Sequence, residues 1–316
     1  MQGVMALLKS YKSCIGDDFV SKKIAIKIDV DTKRGYDEGV PRMLDVFKKE
    51  NIPASFFFSM GTDNSGKAIR RIFRKGFLEK MLRTKAPSTY GLKTMMYGTL
   101  LPAPHIVAPN KIPFLRAIKE GHECGIHCWD HVYWQDKLPL LSEEQIKEEL
   151  TKAINLFESI AGFTAKACAA PGWQVTPRSL KVQQELGFTY CSDVRGYYPF
   201  YPIMNEQKFL PLQIPGTLLT MDECLGSTLD NKLITEENIN DYWLSHCDQD
   251  FNVLTIHSEM EGLKQLPILH DFIKKAKKLD YEFVKLEQGQ FVPNIKECEI
   301  YHGYLPGRAG TVARQR

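Results

Sequence analysis

KKIAIKIDVD, residues 22 to 31, alternates lysine with isoleucine and then runs into two acids. A period of two is the signature of a strand, so Ile24, Ile26 and Ile28 are expected to face inward. A helix should follow. DEGVPRMLDVFKKEN (37 to 51) has acids and Pro41 in its first turn and Val40, Met43, Leu44 and Phe47 at helical spacing, and PASFFFS then supplies a second strand. The alternation continues: helix 112 to 120, strand ECGIHCW, and the long helix SEEQIKEELTKAINLFESIAG, opened by a Ser-x-x-Gln capping box. Strand AKACAA, helix TPRSLKVQQELG with Thr at the N-cap and Pro at the first helical position, and strand FTYCSD come next. FLPLQIP, a helix from Thr235, NVLTIH, the helix 265 to 279 and YEFVKL complete the series.

About seven strand–helix units with short connections predict one α/β domain with a parallel sheet, closed or nearly closed, over residues 22 to 290. Residues 1 to 21 read as an N-terminal extension, and 291 to 316, with their Gly, Pro and Arg, as a tail. The segment from about 63 to 110 is far longer than an ordinary loop after a second strand, which marks it as a functional insertion.

Charge singles out the same segment. The chain of 316 residues carries a formal net charge of only +3, yet residues 64 to 119 hold twelve Lys/Arg against the single acid Glu79. An anionic partner is implied: lipid surface, phosphate or nucleic acid. From Ile69 to Phe77 the apolar side chains share one helical face while Arg70, Arg71, Arg74 and Lys75 occupy the other; after Gly76 the stripe rotates to Phe77, Leu78, Met81 and Leu82. Two amphipathic pieces hinged at the glycine fit an anionic membrane surface, with Arg70, Arg71, Phe73, Arg74, Phe77, Met81 and Leu82 as docking residues. The competing reading packs the apolar face on the chain's own domain. No nucleic-acid recognition motif accompanies the basic block. Scattered cysteines without a CxxC pair point to reduced thiols in a cytoplasmic setting. No run is apolar and long enough for a secretory core or a membrane span, so neither export nor integration is expected.

The chemistry-bearing residues cluster at strand ends. Asp29 and Asp31 are two apart, so both carboxylates project to one side, a geometry that allows one metal ligand and one base; turn or capping duty is the plain alternative. HCWDH puts His127 and His131 four apart, so that both imidazoles can chelate one cation from the first turn of a helix. TIHSE places His257 at another strand end. Three histidines and two aspartates then share one rim.

In order, IDVD, HCWDH, AAPGW, SDVRG and TIHSE resemble the five motifs of the NodB-homology polysaccharide deacetylases, over residues 22 to about 285. The resemblance implies a distorted (β/α) barrel of about seven strands, interrupted here by the insertion, with one divalent ion (Zn, Mn or Co) held by Asp31, His127 and His131. It further implies Asp29 as general base, His257 as general acid, Asp193 orienting His257, and the backbone N–H of Gly172 at the oxyanion. Trp173, Arg34 and Arg195 become candidate substrate-binding residues. One position departs: the family's third motif usually begins with an arginine that pairs with the base, and here Ala169 stands there. Arg34 and Arg195 are both possible substitutes.

The departure and the longer strings DVDTKRG, FFFSMGTDNSG, HCWDHVYWQ, QIPGTLLTMDE and TIHSEMEG resemble one branch of that family, the deformylases of 4-deoxy-4-formamido-L-arabinose phosphoundecaprenol. What this implies is a cytoplasmic hydrolase, peripheral on the inner membrane, whose polyprenyl-phosphate-linked product serves lipid A modification and polymyxin resistance. An N-deacetylase of sugar polymers, and a silent lipid-phosphate binder of the same fold, are the alternatives.

Overall fold

The computed structural model describes residues 22–68 and 91–316. Its organising element is β1 (Lys23–Val30), which lies at the centre of a parallel array. On one side β1 pairs with β11 (Phe251–His257), in register from Lys23 opposite Phe251 to Asp29 opposite His257. On the other it pairs with β2 (Ser55–Phe58) near its end and β12 (Glu282–Val284) near its start. The sheet runs on in parallel through β3 (Glu123–Ile126), β4 (Ala167–Cys168), β5 (Tyr190–Cys191) and β8 (Leu212–Gln213). Beyond β8, the N–H groups of Thr217 and Leu218 both donate to the Val253 carbonyl of β11, at 3.1 and 3.2 Å. Seven strands therefore curl round on themselves, closed at the β8–β11 seam by single hydrogen bonds rather than by a full ladder. This is the distorted barrel that the family resemblance implies.

Closing a parallel sheet buries both of its faces. Ile24, Ile26, Ile28 and Val30 face the helices, packed with Val40, Met43, Leu44 and Phe47 of α1 (Val40–Glu50). The alternate set, Ala25, Lys27 and Asp29, faces the barrel interior, where Ala25 joins Phe57, Ala169, Tyr190, Ile214 and Val253. The expected isoleucine face is thus buried, but so is the lysine face: Lys27 is 0% exposed.

The helices follow the predicted caps. A π turn (Gly35–Gly39) precedes α1; α2 (Ile112–Lys119) and α3 (His131–Lys137) flank β3. The long α4 (Glu143–Ala161) opens on the Ser142/Gln145 capping box, and α5 (Pro177–Glu185) on Thr176. Then come α6 (Met221–Cys224), α7 (Ile239–Ser245) and α8 (Leu266–Lys278).

The C-terminal residues differ from expectation. They are no tail: β13 (Lys296–Tyr304) pairs parallel with β6 (Phe200–Met204), and β14 (Thr311–Gln315) turns back antiparallel on β13. β6 also pairs with the short β7 (Gln207–Lys208) and with β8, and β9 (Thr228–Leu229) and β10 (Lys232–Leu233) form a separate hairpin. Main-chain bonds from Arg195 N–H to Ala313 O (2.9 Å) and Gln315 N–H to Arg195 O (2.8 Å) fasten β14 to the loop after β5.

Candidate active site

At the C-terminal edge of the barrel, Asp31 leaves β1 just past its last residue, His127 follows β3, and His131 opens α3. Asp31 Oδ1 stands 3.3 Å from His127 Nε2, and Asp31 Oδ2 stands 3.3 Å from His131 Nε2. Ligand atoms on bonds of about 2.0–2.1 Å to a tetrahedral ion are about 3.3–3.4 Å apart, so this triad has the spacing that a small divalent cation needs. Asp31 Oδ1 is buried without a hydrogen-bond partner, a costly state that a bound ion would relieve. Among the described residues this is the one cluster of three or more such side chains. The two histidines do not share a helical turn, as the spacing suggested. The chain reaches from strand to helix between them, with Cys128 at φ 58°. Asp130 then caps α3 by accepting from Tyr133 N–H at 2.9 Å. Burial pushes the His127 imidazole down to about 4, outweighing the attraction of Asp29 and Asp31, which keeps it in the neutral form that a metal ligand requires.

Asp29 sits beside this triad, and its partner is Lys27. The ammonium donates to Asp29 Oδ2 at 2.8 Å, with side chains 1% and 6% exposed. Burial acts to raise the Asp29 carboxyl; the charge of Lys27, followed by His127 and His257, overcomes it and holds the group below its ordinary range. The cation that family resemblance places at residue 169 comes here from β1 itself, two residues before Asp29. Ala169 is fully buried in the barrel interior, and neither proposed substitute is recorded on Asp29. Arg195 Nη1 lies 3.2 Å from Glu223 Oε2, and its Nη2 donates to Leu218 O at 2.6 Å. Arg34 stands at the rim, 3.5 Å from Glu38. Lys27 was missed because a strand of alternating Lys and Ile reads as half solvated, a reading that holds for open sheets and fails inside a closed one.

His257 lies in register with Asp29 across the β1–β11 ladder, so the two side chains project from neighbouring strands on one face. Burial works against its protonation, but Asp222, then Asp31, Glu259 and Glu261, raise it to about 9. The expected pairing with Asp193 is not what the structure records. Asp193 Oδ2 accepts from Gln183 Nε2 (3.0 Å) and Gln213 Nε2 (3.1 Å). Along this stretch Tyr190 points into the barrel and Cys191 toward the helices. Asp193 keeps the parity of Cys191 and so meets Gln183 of α5. The acid that acts most strongly on His257 is Asp222 of α6, buried, its Oδ1 accepting from Thr220 Oγ1 at 2.5 Å. TMDE in the sequence held this residue, but nothing local ties it to a strand 30 residues later. Glu261, also unpredicted, accepts from the His257 N–H at 2.9 Å and fixes the end of β11.

Gly172 and Trp173 occupy a tight turn after β4, both with positive φ (61° and 52°). At φ 61° Gly172 takes a backbone conformation that strains residues with a Cβ, and a Cβ there would also displace the Gln135 side chain, 2.4 Å away at Nε2. Trp173 is 3% exposed, with the guanidinium carbons of Arg195 and Arg308 at 4.8 and 4.5 Å from its ring centroid and Lys27 Nζ at 5.7 Å. Arg195 and Trp173 thus belong to the buried wall of the site, not to an exposed substrate surface. The docking residues Arg70, Arg71, Phe73, Arg74, Phe77, Met81 and Leu82 lie outside the described residues. The described flanks of the insertion are tied down by a bridge between Thr62 and His105 and by Lys33 N–H donating to Asp63 Oδ2 at 2.8 Å. Among the described residues, no helix is long and apolar enough to cross a membrane.

Comparison with known proteins places the chain among polysaccharide deacetylases. The polysaccharide deacetylase family profile matches residues 103–191, which include HCWDH and AAPGW. A Shewanella sediminis protein described as "Probable 4-deoxy-4-formamido-L-arabinose-phosphoundecaprenol deformylase ArnD" is 39% identical over 265 residues, 84% of each chain. A protein of the same description from Wigglesworthia glossinidia brevipalpis is 31% identical over 283 residues, 88% of this chain and 97% of that one. Among solved structures, one from Mycobacterium smegmatis, provisionally described as a polysaccharide deacetylase, superposes with a TM-score of 0.59 at 18% identity, covering 88% of this chain and 92% of the other. The Bc1960 peptidoglycan N-acetylglucosamine deacetylase gives 0.51 at 16% identity, covering 85% and 87%.

Proposed function

Because the chain belongs to the polysaccharide deacetylase family and matches, along most of its length, relatives named as deformylases, we propose that it is a metal-dependent amide hydrolase of one lipid-linked sugar. Its substrate in this reading is undecaprenyl-phosphate-linked 4-deoxy-4-formamido-L-arabinose, and its place is lipid A modification and polymyxin resistance. The observation that carries the proposal is one rim holding the Asp31/His127/His131 triad, a charged Asp29 fixed by Lys27, and His257 in register beside it.

When bound to that triad, a divalent ion such as Zn, Mn or Co supplies Lewis acidity to the formyl carbonyl and to a water. Asp29, ionised across the neutral range, takes a proton from that water as its oxygen adds to the formyl carbon. His257, protonated below about pH 9, gives a proton to the sugar nitrogen as the C–N bond breaks, and formate and the free amine leave. The Gly172 N–H supports the negative charge that gathers on the carbonyl oxygen. Asp222 keeps His257 charged, and Glu261 holds its backbone.

The membrane enters the same proposal. Two amphipathic pieces at 69–83 would dock the enzyme on the anionic cytoplasmic face of the inner membrane, where a polyprenyl substrate resides. In support, Leu92, Leu100 and Ile112, on the described flanks of that segment, are 72%, 79% and 75% exposed, next to Lys93 and Lys111.

Purified protein supplied with Mn, Co or Zn is expected to release formate from the formamido-arabinose lipid, and a chelator to stop it. No formate under any of the three ions, or full turnover by Asp29→Ala or His257→Ala, sinks the mechanism. Acetate release from N-acetylated sugar polymers would move the reading to a polysaccharide deacetylase. Co-sedimentation with anionic vesicles should fall when Arg70, Arg71 and Arg74 become Glu; undiminished binding would remove the docking assignment while leaving the hydrolase intact.

A further inference from the structure

The Pro171–Trp173 turn is short of local support. Its two positive-φ residues include a bulky aromatic, its helical part is a single 3-10 turn, and the Trp173 indole N–H is buried without a partner among the described residues. Besides two long main-chain bonds of its own, Trp173 N–H to Ala170 O (3.2 Å) and Gln174 N–H to Pro171 O (3.3 Å), the turn is held from 136 residues away. Arg308, in the turn between β13 and β14, donates from Nη2 to the Gly172 carbonyl at 3.2 Å. Its guanidinium carbon lies 4.5 Å from the Trp173 ring centroid. Its Nη1 is 3.4 Å from Oε1 of Glu223, a fully buried carboxylate whose other oxygen faces Arg195 at 3.2 Å.

The backbone of this hairpin is committed to the same place. Gly307, at φ 70°, comes so close to α6 that a Cβ would lie 1.9 Å from the Glu223 carbonyl oxygen. Gln174 Nε2 donates to Thr311 O at 2.9 Å and to Gly172 O at 3.2 Å, so the hairpin and the Gly172 carbonyl share a second tie. One guanidinium therefore joins the Gly172 turn to the helix that carries Asp222.

We propose that the β13–β14 hairpin is part of the active-site framework and that Arg308 is a positioning residue, fixing the Gly172 carbonyl and Trp173 ring and so the direction of the Gly172 N–H. Its catalytic half rests on the amide-hydrolase reading; its structural half does not. A planar fork can donate to a carbonyl, lie on an aromatic ring and face a carboxylate together; a lysine ammonium cannot do all three.

The test uses the full-length, metal-loaded protein and the variants Arg308→Ala and Arg308→Lys. Hydrogen exchange of the amides of 170–175 is measured without substrate, since Trp173 N–H and Gln174 N–H bond within the turn. Arg308→Ala is expected to speed that exchange about tenfold or more, with β1 and β11 unchanged. Its kcat should fall about ten- to a hundredfold, below the loss seen when an oxyanion donor is deleted outright, with KM within about threefold. Arg308→Lys should recover neither. Unchanged exchange in Arg308→Ala overturns the positioning role, and accelerated exchange with unchanged kcat overturns its catalytic consequence. Full recovery by Arg308→Lys would reduce the residue to a counter-charge for Glu223. Exchange is read on the resting protein, so absence of formate from the parent enzyme counts against the hydrolase reading and leaves the structural half to be decided by exchange alone.

Discussion

Lys27 and Asp29 form a buried ion pair in the candidate active site, and their energetics are those of two charges removed from water. Such a pair adds little net stability over an apolar pair, but removing one member strands the other. Lys27→Met in metal-free protein is expected to cost about 3–5 kcal/mol by denaturant unfolding. Adding Asp29→Asn to Lys27→Met should recover most of that loss. Formate release should fall in the single variant and not return in the double, because the double keeps the packing and lacks the base. If the second substitution deepens the instability instead, the two side chains do not act as a pair. In KKIAIKIDVD Lys27 stands two residues before Asp29 on one strand face, but only the structure shows that face buried, with residue 27 level with β2 and β11 in the closed part of the barrel.

At the scale of elements, strand parity decides more than propensity. β1 and β11 were readable, and their register puts Asp29 beside His257. Where β4, β5 and β8 shrink to two residues each, the pattern gave only their approximate places, and the facing of Asp193 was not legible. Parity also gives β3 a pH response. His122, just before β3, is 9% exposed, packs against Phe47 and Phe56, and accepts the Ala54 N–H on Nδ1 at 3.1 Å. Burial, then the charges of Lys285 and Arg116, push its pKa down to about 4, so the folded chain binds this proton less readily than the unfolded chain. Its neutral form is at no disadvantage above about pH 6.5; stability is lost as pH falls from there through about 4, by at most about 3 kcal/mol. His122→Asn should flatten that slope relative to the parent in unfolding measured between pH 7 and 4.5. The buried carboxylates Asp193, Glu149 and Glu261, raised by burial, titrate in both proteins and cancel in the difference. Equal slopes would refute the assignment.

For the whole molecule, a metal held at the proposed triad would be linked to the chain's closure, since the triad gathers residues from just past β1, just past β3 and the start of α3. An ion that binds only the folded chain stabilises it by about 2.7 kcal/mol at a hundred times its dissociation constant. At this chain length that is a rise in Tm of about 4 °C. Mn, Co or Zn should produce it, a chelator should reverse it, and His131→Ala should abolish it; a rise that survives His131→Ala would place the ion elsewhere. The C-terminal hairpin belongs to this scale too, for its strands extend the barrel sheet and its turn reaches the catalytic rim.

By itself the sequence determined the α/β pattern and brought Asp29, Asp31, His127, His131 and His257 to strand ends, because each placement rests on spacing within one strand or across one strand end. Family likeness added the roles. Only the tertiary structure decided Lys27 as the base's partner, Asp222 as the acid nearest in effect to His257, and Arg308 as the support of the Gly172 turn. For Asp222 and Arg308 a charge acts through distance in space, and the fold places side chains together that neither periodicity nor a short motif can connect. Lys27 shares a strand face with Asp29 two residues on, and what only the closed sheet decides is that this face is buried.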